Sequence, residues 1–538
     1  MSTSTQPSAT KAGHGVVTAV VCLALATVVS AVASLNVALP DIARSTHASL
    51  TQLEWVVDAY SLVFACLLLP AGALGDRYGR RATLLIGLLI FGAASGTAMT
   101  AGSANTLIVL RGVMGLGAAL VMPATLSTIT STFPLAERTR AVGMWAGVAG
   151  ASAVLGLLTS GVLLEFWSWR SVFGLNVVLA VAAIAGTLRF VPESADSDAP
   201  RLDITGAAIA VVGLVALVYS IVEAPDRGWL SMRTLGGIGA GLVVLAAFIV
   251  WELNRVHPML NPRIFHRPRL AAGTISIFVQ FLAFFGFVFI ALQYLQVVRS
   301  DSPLVAALSI LPLAGSLMPA ARLAPNLAER YGTRAVCVSG LVMIAGALVL
   351  LAQLTTTSSY LLMAFGLVIL GAGTGAAMTP ATSAITAALP SSQQGVASAI
   401  NDLSRELGGA IGIAVMGSIL ATTYRNHLHL GSVPAPLAEK ARQSVALAAH
   451  IGGPVAARAD LAFVAGLHAA LLYAAAAAVL AAFGVAILLA PSRDPERASS
   501  SRDRHLDSDE VGTVDVGGTV MPFGHSRRGS HVSGTEPR

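Results

Sequence analysis

Long apolar runs constrain the fold of this chain more than any other feature. Fourteen stretches of roughly 20 mainly apolar residues follow one another, each long enough to cross a bilayer as an α-helix. They lie at about 16–38, 53–74, 83–102, 105–130, 140–163, 171–190, 203–223, 234–252, 271–296, 303–323, 335–354, 360–384, 396–421 and 461–490. The runs are continuous rather than alternating, which excludes a membrane β-barrel. The pattern predicts an all-α polytopic membrane protein, whose spans we number 1 to 14.

Composition agrees with lipid as the main solvent. Only 11% of the 538 residues are charged, against about 25% in a typical soluble domain. The net charge of +6 does not indicate nucleic-acid binding, because positive charge in a membrane protein mostly records topology. Cys22, Cys66 and Cys337 lie inside apolar runs without metal-ligand spacing, which predicts packed thiols. We expect neither a metal nor another cofactor.

The arginines predict the orientation of the chain. With a cytoplasmic N-terminus, the inner loops hold Arg77, Arg80, Arg81, Arg138, Arg140, Arg189, Arg201, Arg255, Arg263, Arg267, Arg269, Arg322, Arg330 and Arg334. The short outer loops hold only Arg44, Arg170, Arg227, Arg233 and Arg299. Basic residues favour the cytoplasmic side, and an even number of spans returns the chain to the side on which it began. Both termini are therefore predicted to be cytoplasmic, in a protein of the plasma membrane.

Polar segments flank and interrupt the spans. Residues 1–15 are predicted to be a short tail without a cleavage signal, rather than a removed signal peptide. Residues 422–460 are the only long outer loop. Residues 491–538 are rich in Arg, Ser, Asp and Gly, and are predicted to be a disordered cytoplasmic tail.

The chain repeats itself about 255 residues downstream. The run Asp76-Arg77-Tyr78-Gly79-Arg80-Arg81 returns as Glu329-Arg330-Tyr331-Gly332-Thr333-Arg334, and Gly115-Leu116-Gly117 returns as Gly371-Ala372-Gly373. Such an echo indicates two parallel six-helix halves, predicted at 16–190 and 261–490. Spans 7 and 8, within 191–260, have no echo and are predicted to be an inserted pair.

The turn between spans 2 and 3 carries the most specific motif. The stretch Gly72-Ala73-Leu74-Gly75-Asp76-Arg77-Tyr78-Gly79-Arg80-Arg81 combines glycines that permit a sharp turn with arginines typical of cytoplasmic loops. It resembles the signature loop of the major facilitator superfamily. The resemblance covers about 16–490 and implies the major facilitator fold, with two six-helix halves, two inserted central helices and 14 transmembrane helices. We expect Gly72, Asp76, Arg77, Gly79, Arg80 and Arg81 to form a gating loop, in which Asp76 and Arg80 lock the inner gate of the outward-facing state. A simple positive-inside turn is the alternative.

Spans 2 and 4 each carry a charge at a similar depth. Arg111 begins Arg111-Gly112-Val113-Met114-Gly115-Leu116-Gly117, which resembles the helix-4 motif R-x-x-Q-G-x-G that the family ties to proton coupling. Asp58 lies in a segment, Trp55 to Tyr60, that resembles the helix-2 pattern of the family. Because intramembrane charges are usually functional, we expect Asp58 and Arg111 to form a pair that binds and releases a proton. Alternatively, Arg111 reaches the outer interface and Asp58 is a water-exposed acid.

Span 13 offers further acids. Many family members place an aspartate where this chain has Ala31, so a coupled proton must use another carboxylate. Asp402, Arg405 and Glu406 are spaced to share one helix face, and charges at this depth are expected to face a cavity. The segment resembles helix 13 of actinobacterial fourteen-span drug exporters. A structural ion pair at the inner gate is the alternative.

Span 5 lies where the family has its antiporter motif G-x-x-x-G-P-x-x-G-G. Gly156 and Gly161 fit, whereas Leu157 replaces the proline and Ser160 replaces a glycine. The small residues that remain are expected to allow close helix packing. The missing proline leaves the direction of transport open.

Span 9 is rich in phenylalanine. Phe281, Phe285 and Tyr294, together with Trp55 of span 2, are expected to line a substrate cavity. Packing and contact with lipid are the alternative for such an aromatic stripe.

The sequence contains no nucleotide-binding loop, no H-E-x-x-H and no nucleophile elbow, so we expect a protein that is not an enzyme and uses an ion gradient. Resemblance to the fourteen-span drug–proton antiporters implies proton-gradient-driven export of a hydrophobic drug or antibiotic by a monomer. The implied mechanism is alternating access, the implied phenotype is antibiotic self-resistance, and an aromatic polyketide is a candidate substrate. The expected partners are this substrate, protons and the bilayer. A proton-coupled uptake symporter and a non-transporting membrane sensor are the alternatives.

Overall fold

In the part of the chain that this computed structural model describes, fourteen helices are long and apolar enough to cross a membrane, which confirms the predicted number. The structure describes residues 11–195, 203–255, 258, 261–389, 394–430 and 433–489, and in them the regular secondary structure is helical throughout. Spans 1 to 8 are Lys11–Thr46, Leu50–Tyr78, Arg80–Ala98, Ala104–Thr132, Leu135–Phe166, Arg170–Phe190, Ile204–Val222 and Met232–Leu253. Spans 9 to 14 are Pro268–Val298, Pro303–Tyr331, Thr333–Leu351, Tyr360–Ala387, Gln394–His427 and Gly453–Leu488. The predicted tail 491–538 lies outside the described residues.

Several helices extend beyond the apolar runs that predict them. Span 1 begins at Lys11, inside the predicted tail, and continues through Pro40 to Thr46. Hydropathy marks only the part of a helix that lies in hydrocarbon, whereas the helix itself ends where its backbone groups are capped. Span 2 begins at such a cap, because Ser49 Oγ accepts the Gln52 N–H at 3.2 Å and the Gln52 side chain accepts the Ser49 N–H at 3.0 Å.

Spans 9 and 10 are irregular where they meet. Span 9 ends in a π-helical turn, Tyr294–Val298. Span 10 is divided at Ile310 into the helices Pro303–Ser309 and Leu311–Tyr331. Pro312, near the start of the second helix, has no N–H to continue the hydrogen-bond ladder.

The segment predicted as a long outer loop, 422–460, connects spans 13 and 14 and is mostly helical. Span 13 continues to His427, span 14 begins at Gly453, and two short helices lie between them, Ala435–Gln443 and Val445–Ile451. The hydroxyl of Tyr424 donates to the Ala441 carbonyl at 2.6 Å and anchors the first short helix on span 13. The sequence suggested a loop because this segment is too polar for another span.

Equivalent helices of the two halves pack through equivalent glycines. A Cβ at Gly117 would lie 2.7 Å from the carbonyl oxygen of Gly87, and one at Gly373 would lie 2.8 Å from that of Gly340. These contacts join span 4 to span 3 and span 12 to span 11. The turns after spans 2 and 10 are also alike, since Gly79 has φ +122° and Gly332 has φ +87°. The repeat seen in the sequence is therefore a repeat of helix packing.

Hydrogen bonds between the halves lie near one end of the bundle. We call this the Ser49 end and the opposite end, which carries the turn after span 2, the Gly79 end. Gln296 of span 9 donates to the Val37 carbonyl of span 1 at 2.9 Å, and Arg425 of span 13 contacts Thr51 of span 2 at 3.4 Å. Between described residues, hydrogen bonds join the halves at the Ser49 end and none joins them at the Gly79 end.

Spans 7 and 8, the inserted pair, pack against each other and against both halves. A Cβ at Gly241 would lie 2.8 Å from the backbone nitrogen of Leu217, so the two helices touch closely. Val218 and Val222 of span 7 share an apolar cluster with Leu62 of span 2 and Ala414 of span 13. The pair therefore lies over the seam between spans 2 and 13.

Candidate functional site

Arg111 is buried inside the first half and ties three helices together. Its side chain is on span 4, and Nε donates to the Val56 carbonyl of span 2 at 3.0 Å. The guanidinium lies 4.2 Å from the centre of the Tyr60 ring, whose hydroxyl donates to the Val28 carbonyl of span 1 at 3.0 Å. Gly115, one turn further along span 4, approaches the Tyr60 backbone closely. The arginine therefore does not reach the outer interface.

Asp58 is completely buried, but it does not pair with Arg111, so the predicted ion pair is not formed in this structure. Arg111 binds the face of span 2 that carries Val56 and Tyr60, which are one turn apart. Asp58 lies two residues from each, about 200° around the helix. The sequence suggested that Asp58 and Arg111 lie at a similar depth, but it could not show how span 2 is rotated about its axis. Both carboxyl oxygens of Asp58 lack a hydrogen-bond partner among the described residues.

Glu54 is a second buried acid on span 2 that the sequence analysis missed. It is only 1% exposed and stands one turn before Asp58. Its carboxyl group contacts span 13, where Ser418 Oγ lies 3.4 Å away and a Cβ at Gly417 would lie 2.7 Å from Glu54 Cδ. The available signal was the four-residue spacing of two acids in one span. The position near the helix start made Glu54 resemble an ordinary exposed residue.

Span 13 brings its charges next to the phenylalanines of span 9. The guanidinium of Arg405 lies 4.8 Å from the Phe281 ring centre and 3.9 Å from the Asp402 carboxylate. Asp402 and Glu406 are partly exposed, and Phe281 and Phe285 are neighbours with ring centres 5.9 Å apart. Two sets of residues predicted separately therefore lie side by side on spans 9 and 13, and we call this surface the charged wall.

Glycines of span 13 allow this close contact with span 9. A Cβ at Gly412 would lie 2.7 Å from the Cα of Leu282, and Gly408 lies equally tightly against the backbone of Phe278. Larger residues would push the charged helix away from the aromatic one.

Trp55 and Tyr294 do not lie beside Phe281 and Phe285, so the four residues predicted to line a substrate cavity occupy separate places in the bundle. Trp55 turns toward the inserted pair, where its Nε1 donates to Glu223 at 3.2 Å and its ring lies 5.7 Å from that of Tyr219. Tyr294 is fully buried, and its hydroxyl donates to the Thr355 carbonyl at 2.7 Å. Both residues lie near the Ser49 end, where the bundle is packed.

The predicted gating loop forms a docked turn at the Gly79 end. Asp76 and Arg80 pair at 2.9 Å within the loop. The N–H of Arg81 donates to Glu193 at 3.2 Å, and a Cβ at Gly79 would lie 2.8 Å from the same carboxylate. Gly72, about two turns before Gly79, faces Pro123 of span 4. The guanidinium of Arg77 lies 5.8 Å from the centre of the Tyr78 ring.

All of these contacts belong to the first half and the segment that follows it. The pair of Asp76 and Arg80 is four residues apart along the chain, so in this structure it braces the turn and does not connect the two halves. The expected role of Asp76 and Arg80 as a lock of the inner gate in the outward-facing state stays a prediction.

Two glycines of span 5 pack against two different helices. A Cβ at Gly156 would lie 2.6 Å from the carbonyl oxygen of Ser30 in span 1, within the first half. A Cβ at Gly161 would lie 3.0 Å from the Cα of Leu304 in span 10, across the two halves. Ser160, which replaces a motif glycine, donates to the Ser34 carbonyl at 2.7 Å. The helix is unbroken and contains no proline.

Fourteen spans in two related sets, with charged side chains buried between the helices, are the architecture of a polytopic membrane transporter. Residues 21–413 match the family described as Major Facilitator Superfamily. The chain belongs to this superfamily, and it has the predicted fold of two six-helix halves with two inserted helices.

Curated relatives cover most of the chain. The multidrug resistance protein Stp of Mycobacterium tuberculosis is 35% identical over 82% of this chain and 86% of its own length. The multidrug efflux pump LfrA of Mycolicibacterium smegmatis is 34% identical over 85% and 90%. The tetracenomycin C resistance and export protein of Streptomyces glaucescens is 31% identical over 72% of each chain. The chain is thus similar to exporters that are linked to drug and antibiotic resistance.

Solved structures agree on the fold. A bacterial homologue of the human lysosomal transporter Spinster, crystallised in an inward-facing conformation, matches with a TM-score of 0.62 at 18% identity, over 89% of this chain and 97% of that one. The nucleoside transporter NupG matches with a TM-score of 0.56 at 10% identity, over 89% and 100%. At such identities the likeness concerns the fold alone.

Proposed function

We propose that this protein exports a hydrophobic drug or antibiotic across the plasma membrane, driven by the proton gradient, with both termini in the cytoplasm. The observation that carries the proposal is the wall where Arg405 covers Phe281 beside the partly exposed Asp402 and Glu406. Aromatic rings supply an apolar surface for a flat substrate, and carboxyl groups beside it can exchange protons. The exporters among the relatives support the direction.

Alternating access is the mechanism that fits this geometry. The halves meet at the Ser49 end, and the charged wall is reached from the Gly79 end, which we place at the cytoplasm. Substrate would enter from that side, and rocking of the halves would then expose it to the other side. Coupling requires that the proton and the substrate each bind the two states with different affinities.

Three acids are the proposed proton sites. Asp58 is buried without a partner, and an isolated carboxylate is strongly disfavoured in such a place. Asp402 and Glu406 lie at the cavity wall beside Arg405. Arg111 would act indirectly, by fixing span 2 through Val56 and Tyr60. An aromatic polyketide such as tetracenomycin C is a candidate substrate on the strength of one relative's name.

Efflux from cells and proteoliposomes tests the proposal. A panel of hydrophobic antibiotics that includes aromatic polyketides would be measured with and without an uncoupler, for wild type, Asp58→Asn, Asp402→Asn and Glu406→Gln. We expect the uncoupler to abolish efflux, and at least one variant to lower its rate roughly tenfold, the effect of ~1.4 kcal/mol. Glu165→Gln is the matched control, because Glu165 is an exposed acid near the end of span 5. Gradient-independent flux, or equal loss in the control, would reject proton-driven export.

Uptake is a second candidate, which the form of span 5 keeps open. This helix lacks the proline of the antiporter motif and is bound to span 1 through Ser160. Accumulation of a nutrient inside proteoliposomes, rather than drug extrusion, would establish it. Absence of flux for every compound would instead favour a membrane sensor.

A further inference from the structure

The turn between spans 7 and 8 binds span 2 of the first half. This turn comprises residues 223–229 and contains the short helix Ala224–Arg227. Thr51 Oγ1 donates to Asp226 Oδ2 at 2.8 Å, and Trp55 Nε1 donates to Glu223 Oε1 at 3.2 Å. Both donors lie in the first two turns of span 2, at the Ser49 end.

The same turn, together with the end of span 7, binds span 13 of the second half. Arg425 forms an ion pair with Asp226 Oδ1. Trp229 Nε1 donates to Thr422 Oγ1 at 2.9 Å, and Ser418 Oγ donates to the carbonyl of Ile221 at 2.7 Å. These partners of span 13 are spaced along its last turns before His427.

Asp226 is the residue through which the turn reaches both halves at once. One of its carboxyl oxygens accepts from Thr51 and the other binds Arg425. Opening of the Ser49 end requires spans 2 and 13 to move apart, because one belongs to each half. Asp226 cannot then keep both partners, since its two oxygens are about 2.2 Å apart in any carboxylate and each hydrogen bond tolerates only a few tenths of an ångström.

We propose that the turn 223–229 is a clasp that holds the Ser49 end closed, and that Asp226 is the positioning residue whose bridge breaks when this end opens. The inserted pair would thereby set the balance between the two states of the transporter. The proposal rests on the alternating access described under the proposed function. A pocket of about 540 Å³ lined by Thr51, Trp55, Asp226 and Arg425 is large and polar enough to admit water, which would solvate these charges as they separate.

Distance measurements between spin labels test the clasp directly. The full chain would carry alanine in place of its three buried cysteines, Cys22, Cys66 and Cys337. One label pair, Gly102→Cys with Asn426→Cys, joins exposed positions of the two halves at the Ser49 end. The other pair, Tyr78→Cys with Tyr331→Cys, joins equivalent exposed positions at the Gly79 end. No substrate is added.

We expect Asp226→Asn to increase severalfold the population with a long distance at the Ser49 end, with matching shortening at the Gly79 end. Asp226→Glu should restore part of the closed population, because it keeps the charge. Asp301→Asn is the matched control: its ion pair with Arg299, at 3.2 Å, lies in the short connection between spans 9 and 10 and does not join the halves.

Two results would overturn the clasp: unchanged distances in Asp226→Asn, or an equal shift in Asp301→Asn. A single unchanging distance at both ends in every variant would reject the clasp and alternating access together. A shift in Asp226→Asn combined with no drug efflux would support the clasp and reject only the proposed export.

Discussion

Glu54, Asp58 and Arg111 show that spacing along the sequence does not reveal which groups a buried charge contacts. Glu54 and Asp58 share the face of span 2 that is turned away from Val56 and Tyr60, whereas Arg111 binds that opposite face. The arginine is held by a carbonyl and a ring rather than by an acid. A planar guanidinium can donate a hydrogen bond and stack on a ring at the same time. We therefore expect that lysine cannot replace Arg111.

Arg111→Lys should destabilise the protein by about 2 kcal/mol, because the ammonium group loses either the Val56 hydrogen bond or the contact with the Tyr60 ring. Thermal unfolding in detergent measures the effect. Arg189→Lys is the control, since Arg189 is exposed and lies over Phe190 at 5.3 Å. Equal melting temperatures of Arg111→Lys and wild type would mean that the ring contact contributes little.

At the scale of elements, the two equivalent turns after spans 2 and 10 have the same backbone form and different surroundings. Gly79 and Gly332 both have positive φ, and each ends one helix and begins the next. Gly79 faces the Glu193 carboxylate, whereas no described residue lies within 4 Å of a Cβ built at Gly332. The first turn is therefore docked and the second is free, although the sequence motif is nearly the same.

Alanine at either position should destabilise the protein by about 1–3 kcal/mol, because residues with a side chain rarely adopt this backbone conformation. We expect Gly79→Ala to cost more than Gly332→Ala, because its Cβ also meets Glu193. Unfolding temperatures of the two variants measure the difference. Adding Glu193→Ala to Gly79→Ala should remove the excess, and a larger loss in Gly332→Ala would contradict this account.

Over the whole molecule, span 5 touches its own half and the opposite half at two glycines one and a half turns apart. Gly156 packs on Ser30 of span 1, which moves with span 5 in any rigid-body motion of the halves. Gly161 packs on Leu304 and Ala307 of span 10, from which span 5 must separate if the Ser49 end opens. The same substitution at these positions should therefore have different consequences.

Gly156→Ala should lower the unfolding temperature, because its Cβ would lie 2.6 Å from a backbone oxygen in a contact that both states keep. Gly161→Ala should instead favour the state that is open at the Ser49 end, because only the closed state contains its tight contact. Melting curves and the spin-label pair at the Ser49 end separate the two effects. A shift of conformational population in Gly156→Ala, with none in Gly161→Ala, would show that span 5 does not move as we describe.

The sequence by itself determined the class of fold and the number of spans, because hydrophobic length and the requirement for internal hydrogen bonds leave a membrane chain few alternatives. It also predicted the repeat and the charged face of span 13, where Arg405 lies 3.9 Å from Asp402. These properties follow from composition and short-range periodicity, which each segment carries independently of its neighbours.

Only the tertiary structure decided which charges meet. The rotation of span 2 separated Asp58 from Arg111, placed Glu54 against Gly417 and turned Trp55 toward the inserted pair. The docking of spans 7 and 8 over the seam likewise brought Asp226 to Thr51 and Arg425. Such contacts depend on the rotation of each helix about its axis and on the glycines that set the distance between helices. A sequence pattern restricts this rotation and distance only when the two contacting helices are already known.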